Sequence, residues 1–371
     1  MTFDRSSLPP MEVPARTACL REALAGAECD ALLVTDLTNI RYLTGFTGSA
    51  ATLLAGPDGL LLVTDGRYRD QAAAELDAAG VDAAVEIGRT ADEQRQHLVR
   101  HVTGIGRLGL EAEHVTWGQQ RRYAGEWFGE IVLVPTDGLV ESLRERKDDG
   151  EVARLAAAAG MADAALAAVR DELAERPTEA EVALALEWQM RQLGADGVAF
   201  ETIVASGPNA AMPHHRAGGR RIAEGDPVVI DFGAVVDGYH SDMTRTFLVG
   251  EPTATVARMY EVVTRAQEAG VHAVRAGVPA RDVDEACRSV VRDAGWEDAF
   301  LHSTGHGVGL VIHERPRVSA TADATLAGGH VVTVEPGVYL PEHGGVRIED
   351  TVVVTPDGCR VLTRAPKDPQ L

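Results

Sequence analysis

The sequence predicts an α/β domain over residues 1–140 and a larger α+β domain over residues 151–371, joined by a linker at 141–150. Three observations predict this arrangement. The chain has 371 residues, more than one hydrophobic core usually organises. Strand-like and helix-like segments alternate through the first part. In the second part a helix–helix–strand pattern occurs twice, which predicts a pseudo-twofold domain with a cleft between its halves.

Composition narrows the function. Hydrophobic residues make up 45% and charged residues 25% of the chain, the balance of a globular protein. Thirty-five basic against 56 acidic side chains leave a formal charge of −21. Binding nucleic acid rests on neutralising phosphates with Lys and Arg, so this balance argues against it, and against an anionic membrane surface. Cys19, Cys29, Cys287 and Cys359 form no CxxC pair, which argues against a zinc–thiolate site and a disulfide framework. A reducing cytoplasm is the expected setting. The opening MTFDRSSLPP has no basic-then-apolar signal pattern, and no apolar run reaches the roughly 18 residues expected of a membrane span.

Within the first domain, residues 31–35, 51–54 and 60–64 read as strands, 16–25 and 67–79 as helices, and 131–135 as a closing strand. The charged stretch ESLRERKDDG at 141–150 is the linker. An alanine-rich helix follows over 151–175, ended by Pro177. The next helix opens on a capping box, Thr178 with Glu181, and stops at Gly194. The helix around Val182 ends 12 residues later at Gly194, and the helix around Val283 ends 12 residues later at Gly295. Each follows a longer helix and leads to an Ala-Phe pair, Ala199-Phe200 and Ala299-Phe300.

Chemistry concentrates in three stretches. In DPVVIDFGAVVDGYHSDMTRTFLV, Asp237-Gly238 signals a two-residue hairpin. That turn sets Val236 opposite Tyr239 and Gly233 opposite Asp242. Asp231 and Asp242 then become diagonal neighbours on one sheet face. Two like charges there need a cation if they are buried; taken alone, two aspartates on an exposed hairpin fit equally well. In HSTGHGVGLVIH, glycines on both sides of His306 would let backbone approach a bound group closely. In VVTVEPGVYLPEHGGVRIEDTVVV, Glu335 ends one strand and Glu349 lies inside another. Arg347, two residues from Glu349, is the expected partner of that carboxylate. Together Asp231, Asp242, His306, Glu335 and Glu349 match the ligands of two divalent ions sharing carboxylates. An oxygen-rich shell with one imidazole suits Mn²⁺, Co²⁺, Fe²⁺ or Zn²⁺. Two such ions can acidify a shared water and polarise a carbonyl, the requirement for amide hydrolysis.

These stretches resemble the pita-bread metallopeptidases, the family of methionine aminopeptidase, aminopeptidase P and prolidase. DFGAVVDGYHSDMTRTF, HSTGHGVGLVIHE, VEPGVY and GGVRIED carry the resemblance, and all five metal-ligand positions hold the expected residue types. The resemblance implies a pita-bread catalytic domain. It implies that Asp231 chelates one ion, Asp242 and Glu349 bridge, and His306 and Glu335 complete the other, with manganese the expected metal. A bridging hydroxide would attack the scissile carbonyl, with Glu335 assisting its deprotonation.

Further roles follow from the same resemblance. His214 in NAAMPHH is similar to a substrate-side histidine of the proline-cleaving members, with His215 the alternative. His313 resembles the histidine that stabilises the tetrahedral intermediate. His302 resembles a wall of the proline pocket. Arg347 would orient ligand carboxylates, and Thr244 would touch the metal shell. Arg317 resembles an arginine that reads the carboxylate of a short substrate.

TDLTNIRYLTGFTGSAATLLAGPDGLLLVTDGRY is similar to the N-terminal domain of short bacterial Xaa-Pro peptidases, which ordinary methionine aminopeptidases lack. In that branch the domain supports homodimers, which makes Tyr42, Phe46 and Arg67 candidate substrate contacts beside ordinary core or surface roles. The expected substrates are therefore short proline-containing peptides, cleaved before proline. Prolidase and aminopeptidase P both remain open at this point. The competing readings are a methionine-aminopeptidase-like or other metallohydrolase, and a non-catalytic binding protein on the same fold. Creatinase shares the fold without metals, and the complete ligand set argues against that relation.

Overall fold

The computed structural model describes residues 4–370, which divide into two units, residues 11–144 and residues 4–10 with 145–370. The smaller unit is a six-stranded mixed sheet. In chain order it contains α1 (Val13–Gly26), β1 (Ala31–Val34), α2 (Leu37–Thr44), β2 (Ala51–Gly56), β3 (Gly59–Thr64) and α3 (Arg69–Ala79). These are followed by β4 (Ala83–Ile87), α4 (Ala91–His101), β5 (Arg107–Glu111), α5 (Trp117–Arg122), β6 (Val132–Thr136) and α6 (Leu139–Arg144). The sheet order is β4-β3-β2-β1-β5-β6. Strand β1 is a continuous buried run, Ala-Leu-Leu-Val, as an interior strand covered on both faces must be. Sequence periodicity missed β4 and β5, and the segment expected at 131–135 pairs as Val132–Thr136. Tyr42 and Phe46 are core residues of this unit, and Arg67 pairs with Asp65 at its surface.

The larger unit holds two helix pairs. The first is α7 (Asp149–Val169) with α8 (Glu179–Leu193); the second is α9 (Ala254–Ala273) with α10 (Ala280–Asp293). Helix α7 opens on a capping box, Asp148 with Glu151, and α8 on another, Thr178 with Glu181. Beyond Val169 the expected helix continues only as a 3-10 turn, Arg170–Glu175. Gly194 and Gly295 both adopt positive φ, 106° and 83°, where a Cβ is disfavoured. Thr178 and Pro279, just before the second helix of each pair, each form a lone antiparallel bridge, to Arg221 and Thr325. The recurrence seen in the sequence is thus a recurrence of structure. By length and composition the segment Asp149–Glu175 could cross a membrane, contrary to the expectation that no run approaches a span. Half of that window is buried, and Leu155, Ala162, Leu166 and Val169 pack into this unit's core, as in a core helix.

The strands between and after the helices form small antiparallel sheets. They are β7 (Gly197–Val198), β8 (Ile203–Ser206), β9 (Pro227–Phe232), β10 (Ala234–Val236), β11 (Tyr239–His240) and β12 (Met243–Leu248), then β13 (Gly305–Gly307), β14 (Glu314–Val318), β15 (Val331–Val334), β16 (Gly337–Leu340), β17 (Gly344–Arg347), β18 (Asp350–Val354) and β19 (Cys359–Val361). The sheet orders are β11-β10-β7, β12-β9-β8, β14-β13-β15-β18-β19 and β16-β17. The Asp237-Gly238 turn sets Val236 opposite Tyr239, as its chemistry predicts. The same register continues into β9 and β12, where Asp231 faces Thr244.

Candidate metal centre

Strand register brings the five expected ligands together. Asp231 lies on β9, whose preceding residues Val228, Val229 and Ile230 are fully buried. Its neighbour across the ladder is Thr244, so Asp242 sits diagonally from it. Strands β15 and β18 pair up to Val334 and Asp350. Glu335 and Glu349 are the first residues past that ladder, one on each strand. They leave it because their N–H groups donate to Thr304 O at 2.8 Å and Thr244 O at 3.1 Å. His306 is the middle residue of β13, which pairs with β15.

The glycines beside His306 have a packing role that the sequence did not suggest. A Cβ on Gly305 would stand 2.0 Å from Thr333 O, and one on Gly307 would stand 2.2 Å from Arg315 O. They let the flanking strands close around His306, which requires no side chain on either neighbour.

The electrostatics of the cluster suit a bound cation. His306 Nδ1 donates to Gly307 O at 3.0 Å, and burial pushes the imidazole pKa down to about 4. The ring is therefore neutral, with its lone pair on Nε2. That lone pair faces Asp242 Oδ2 at 3.5 Å and Glu335 Oε1 at 3.4 Å. These separations are long for hydrogen bonds; the spacing is that of neighbouring ligands on a shared ion. Ligand atoms of Asp242, His306 and Glu349 all lie within 4.8 Å of one another. Asp231 Oδ1 and Glu349 Oε1 are buried with no hydrogen-bond partner, a costly state unless an ion satisfies them. Burial first, then the neighbouring carboxylates, raises Asp242 and Glu349 well above the usual carboxylate range. Burial likewise lifts Glu335 to about 8. These residues therefore fit divalent ions, which would be held by Asp231, Asp242, His306, Glu335 and Glu349.

Arg347 organises one side of the cluster. Buried at 3% exposure, it donates to Asp231 Oδ2 at 2.6 Å, Thr244 Oγ1 at 3.0 Å and Tyr339 Oη at 2.8 Å. Its ion-pair partner is Asp231, not Glu349 as expected. Strand β17 ends at Arg347 and β18 begins at Asp350, so Arg347 and Glu349 do not share a strand face. Thr244 connects the two, since its hydroxyl donates to Glu349 Oε2 at 2.8 Å.

His302 has both ring nitrogens engaged. Nδ1 donates to Ser303 O and Nε2 accepts from Tyr339 Oη, each at 2.8 Å. Burial pushes its pKa to about 4. It stands edge-on to Phe300, centroids 5.3 Å apart. With no free polar atom, the ring presents only apolar surface.

His313 stacks edge-on to His306 at 4.4 Å, with its pKa lowered by burial and by Arg317. His214 is exposed and close enough to His302 and His313 to act on both electrostatically. Its neighbour Pro213 O receives Arg347 Nη1 at 3.4 Å. Arg317 is exposed, beside His306 and His313.

Two contributors were not singled out from the sequence. Tyr339 couples His302 to Arg347, and its position inside VEPGVY was the available signal. Thr333 donates to Glu335 Oε1 at 3.3 Å and accepts from His306 N at 3.1 Å. Thr333 is two residues before Glu335 on the same strand face, which a period-2 reading could have marked. A separate cluster lies in the smaller unit, where His114 Nε2 stands 3.6 Å from Asp36 and 3.4 Å from Glu141. There both carboxylates already accept hydrogen bonds, from Thr38 N and Asn39 Nδ2.

The crowded carboxylates give the metal-free protein a defined pH response. Glu335 folds with a pKa near 8, above its unfolded value, so its contribution is present at low pH and lost as pH rises through 8. The depressed histidines His302 and His306 act only below pH 6.5, where the unfolded chain takes up protons. Between pH 6.5 and 8 the melting temperature of chelated protein should therefore fall. The gap to metal-loaded protein should widen over the same interval, because metal binding displaces those protons. Thermal scans with and without chelator check this; parallel curves across that window would contradict it.

Comparison with known proteins agrees with this geometry. Residues 153–356 match the metallopeptidase family M24 model and residues 16–146 the creatinase/prolidase N-terminal domain model. The Xaa-Pro dipeptidase of Pyrococcus horikoshii is 36% identical, over 91% of this chain and 94% of the relative. The solved Xaa-Pro dipeptidase from Bacillus anthracis superposes with a TM-score of 0.91 at 38% identity, covering 97% of this chain and 100% of that one. X-Pro aminopeptidase from Thermotoga maritima gives 0.86 at 35% identity, over 94% of this chain and 100% of that one. The chain thus belongs to metallopeptidase family M24, with a creatinase/prolidase N-terminal domain ahead of a pita-bread catalytic domain.

Proposed function

We propose that this metallopeptidase hydrolyses the bond before proline at the N-terminus of dipeptides or short peptides, using two divalent ions. The observation that carries the reading is a cluster in which the unprotonated Nε2 of His306 faces Asp242 Oδ2 and Glu335 Oε1, while Asp231 Oδ1 and Glu349 Oε1 are buried without a hydrogen-bond partner. When bound, the ions would supply a water acidified at neutral pH and polarisation of the scissile carbonyl. The oxygen-rich donor set favours manganese. Glu335, the carboxylate closest to His306 Nε2, is assigned to help take the water's proton. His313, neutral and exposed beside His306, is assigned to stabilise the developing oxyanion, and His214 to meet the substrate from the opposite loop.

Proline specificity is supported by His302. An Xaa-Pro bond has no N–H, so a site that binds substrate as an extended strand loses a hydrogen bond there. The His302 ring, with Phe300 beside it and no free polar atom, can instead grip the pyrrolidine face. Arg317, exposed beside His306 and His313, is assigned to read the carboxylate of a short substrate. All four cysteines are unpaired, as a reducing cytoplasm favours.

After chelation, rates on Ala-Pro, Ala-Pro-Ala and Met-Ala should be compared with Mn²⁺, Co²⁺ and Zn²⁺ in turn. Metal-dependent cleavage of at least one proline substrate is expected, favoured over Met-Ala on the order of 100-fold. A higher rate on Ala-Pro assigns a dipeptidase, and on Ala-Pro-Ala an aminopeptidase. No cleavage of either, or preference for Met-Ala, overturns the reading.

A further inference from the structure

We infer that Glu179 and His215 are positioning residues that set His214 against the substrate, through a loop whose two ends are tied to one buried carboxylate. Glu179 is the first residue of α8 and is fully buried. Its Oε1 accepts from Ser206 N at 2.8 Å, Ser206 Oγ at 2.7 Å and Asn209 Nδ2 at 2.9 Å. Its Oε2 accepts from His215 Nε2 at 2.8 Å and Gly218 N at 3.3 Å. One side chain thus receives donors from both the start and the end of the segment 206–218. Despite its burial, hydrogen bonds from Asn209, His215 and Ser206 hold its pKa below the usual value. The carboxylate is therefore ionised, an acceptor at every contact.

His214 sits between these anchors. Residues 212–215 form a turn closed by His215 N–H donating to Met212 O at 3.1 Å. His214 is the third residue of that turn, exposed toward His302 and His313. The residue that closes the turn through its backbone is the one that Glu179 grips through its side chain. The main chain is fixed again by Glu179 N to Arg220 O and Ala180 N to Gly218 O, both 3.0 Å. Past Ser206, which ends β8, the segment 207–218 contains no regular helix or sheet ladder beyond a 3-10 turn at Gly207–Ala211, so its conformation depends on these contacts.

Glu179→Gln tests the inference with little change of shape. The amide places an N–H₂ either against Ser206 N–H or against Gly218 N–H, so one donor always meets another. A displacement of about 1 Å in a substrate-positioning group costs on the order of 100-fold in rate. The expected kcat loss on the preferred proline peptide is therefore roughly 10- to 100-fold, with metal content unchanged. The decisive comparison repeats the substitution in a His214→Ala background. If Glu179 acts through His214, the second loss shrinks to less than about 2-fold, the signature of coupled sites. Equal losses in both backgrounds, or none in the first, overturn the inference. His215→Ala, run through the same cycle, serves if Glu179→Gln does not fold.

The kinetic arm rests on the Xaa-Pro reading. A crystal structure of Glu179→Gln does not: it should show the 206–218 segment shifted and His214 withdrawn from His302 and His313, with the five metal ligands in place. An unmoved loop refutes the positioning role whatever the substrate, whereas an inactive wild type refutes only the substrate assignment.

Discussion

Asp242→Asn should lower kcat/KM about 1000-fold and leave at most one tightly held divalent ion per chain, while making the chelated protein more stable than chelated wild type. The first effect follows from losing a carboxylate that both ions would share. Lewis-acid catalysis supplies several kcal/mol of transition-state stabilisation, and about 4 kcal/mol is three decades in rate. The second effect has the opposite sign because the metal-free site is frustrated. Asp242 is 5% exposed, and burial together with the charges of Asp231 and Glu335 raises its pKa. Each unit of such a shift is about 1.4 kcal/mol of strain in the ionised form. A neutral amide of the same shape removes that term at pH 8. Metal analysis after dialysis, steady-state kinetics and thermal melts in chelator read all three quantities. A less stable chelated variant would contradict the electrostatic account, even with activity lost.

Arg347→Ala should cost about 3–5 kcal/mol of stability, the usual result of removing one partner from a buried ion pair. The guanidinium satisfies Asp231, Thr244 and Tyr339 at once. Without it, Tyr339 loses the group that orients it toward His302, and the Thr244 hydroxyl that serves Glu349 loses its donor. Metal affinity or activity should fall a further 10- to 100-fold, the typical loss when a group orienting ligands is removed. Arg347→Lys should recover little, because a single ammonium cannot reproduce the fork that reaches three partners. Metal-loaded melting temperatures compared across the three proteins check this. A melting temperature within a degree or two of wild type for Arg347→Ala would show that the network carries no structural load.

How far the sequence reaches depends on whether the governing interactions are local. Asp237-Gly238 dictates its own turn, and that turn fixes the register that sets Asp231 diagonal to Asp242. The capping box Thr178–Glu181 and the Gly194 stop mark α8 for the same reason. Strands β4 and β5 escaped because they lack a clean pattern: β4 is only partly buried, and β5 mixes Arg107 and Glu111 with Leu-Gly-Leu. The Arg347–Asp231 pair spans 116 positions, and no spacing rule connects residues that meet only after the sheets assemble. Glu179 shows the limit most clearly. In TEAEVA the capping chemistry points to Glu181, and only the folded loop reveals that Glu179 is the buried acid.

On this account, five side chains from β9, the β11–β12 link, β13 and the ends of β15 and β18 would hold two catalytic ions. Anomalous diffraction from crystals grown with Mn²⁺ tests it directly. The account predicts two adjacent peaks enclosed by Asp231, Asp242, His306, Glu335 and Glu349. It would be contradicted by an empty centre with manganese bound elsewhere, for example at Asp36, His114 and Glu141.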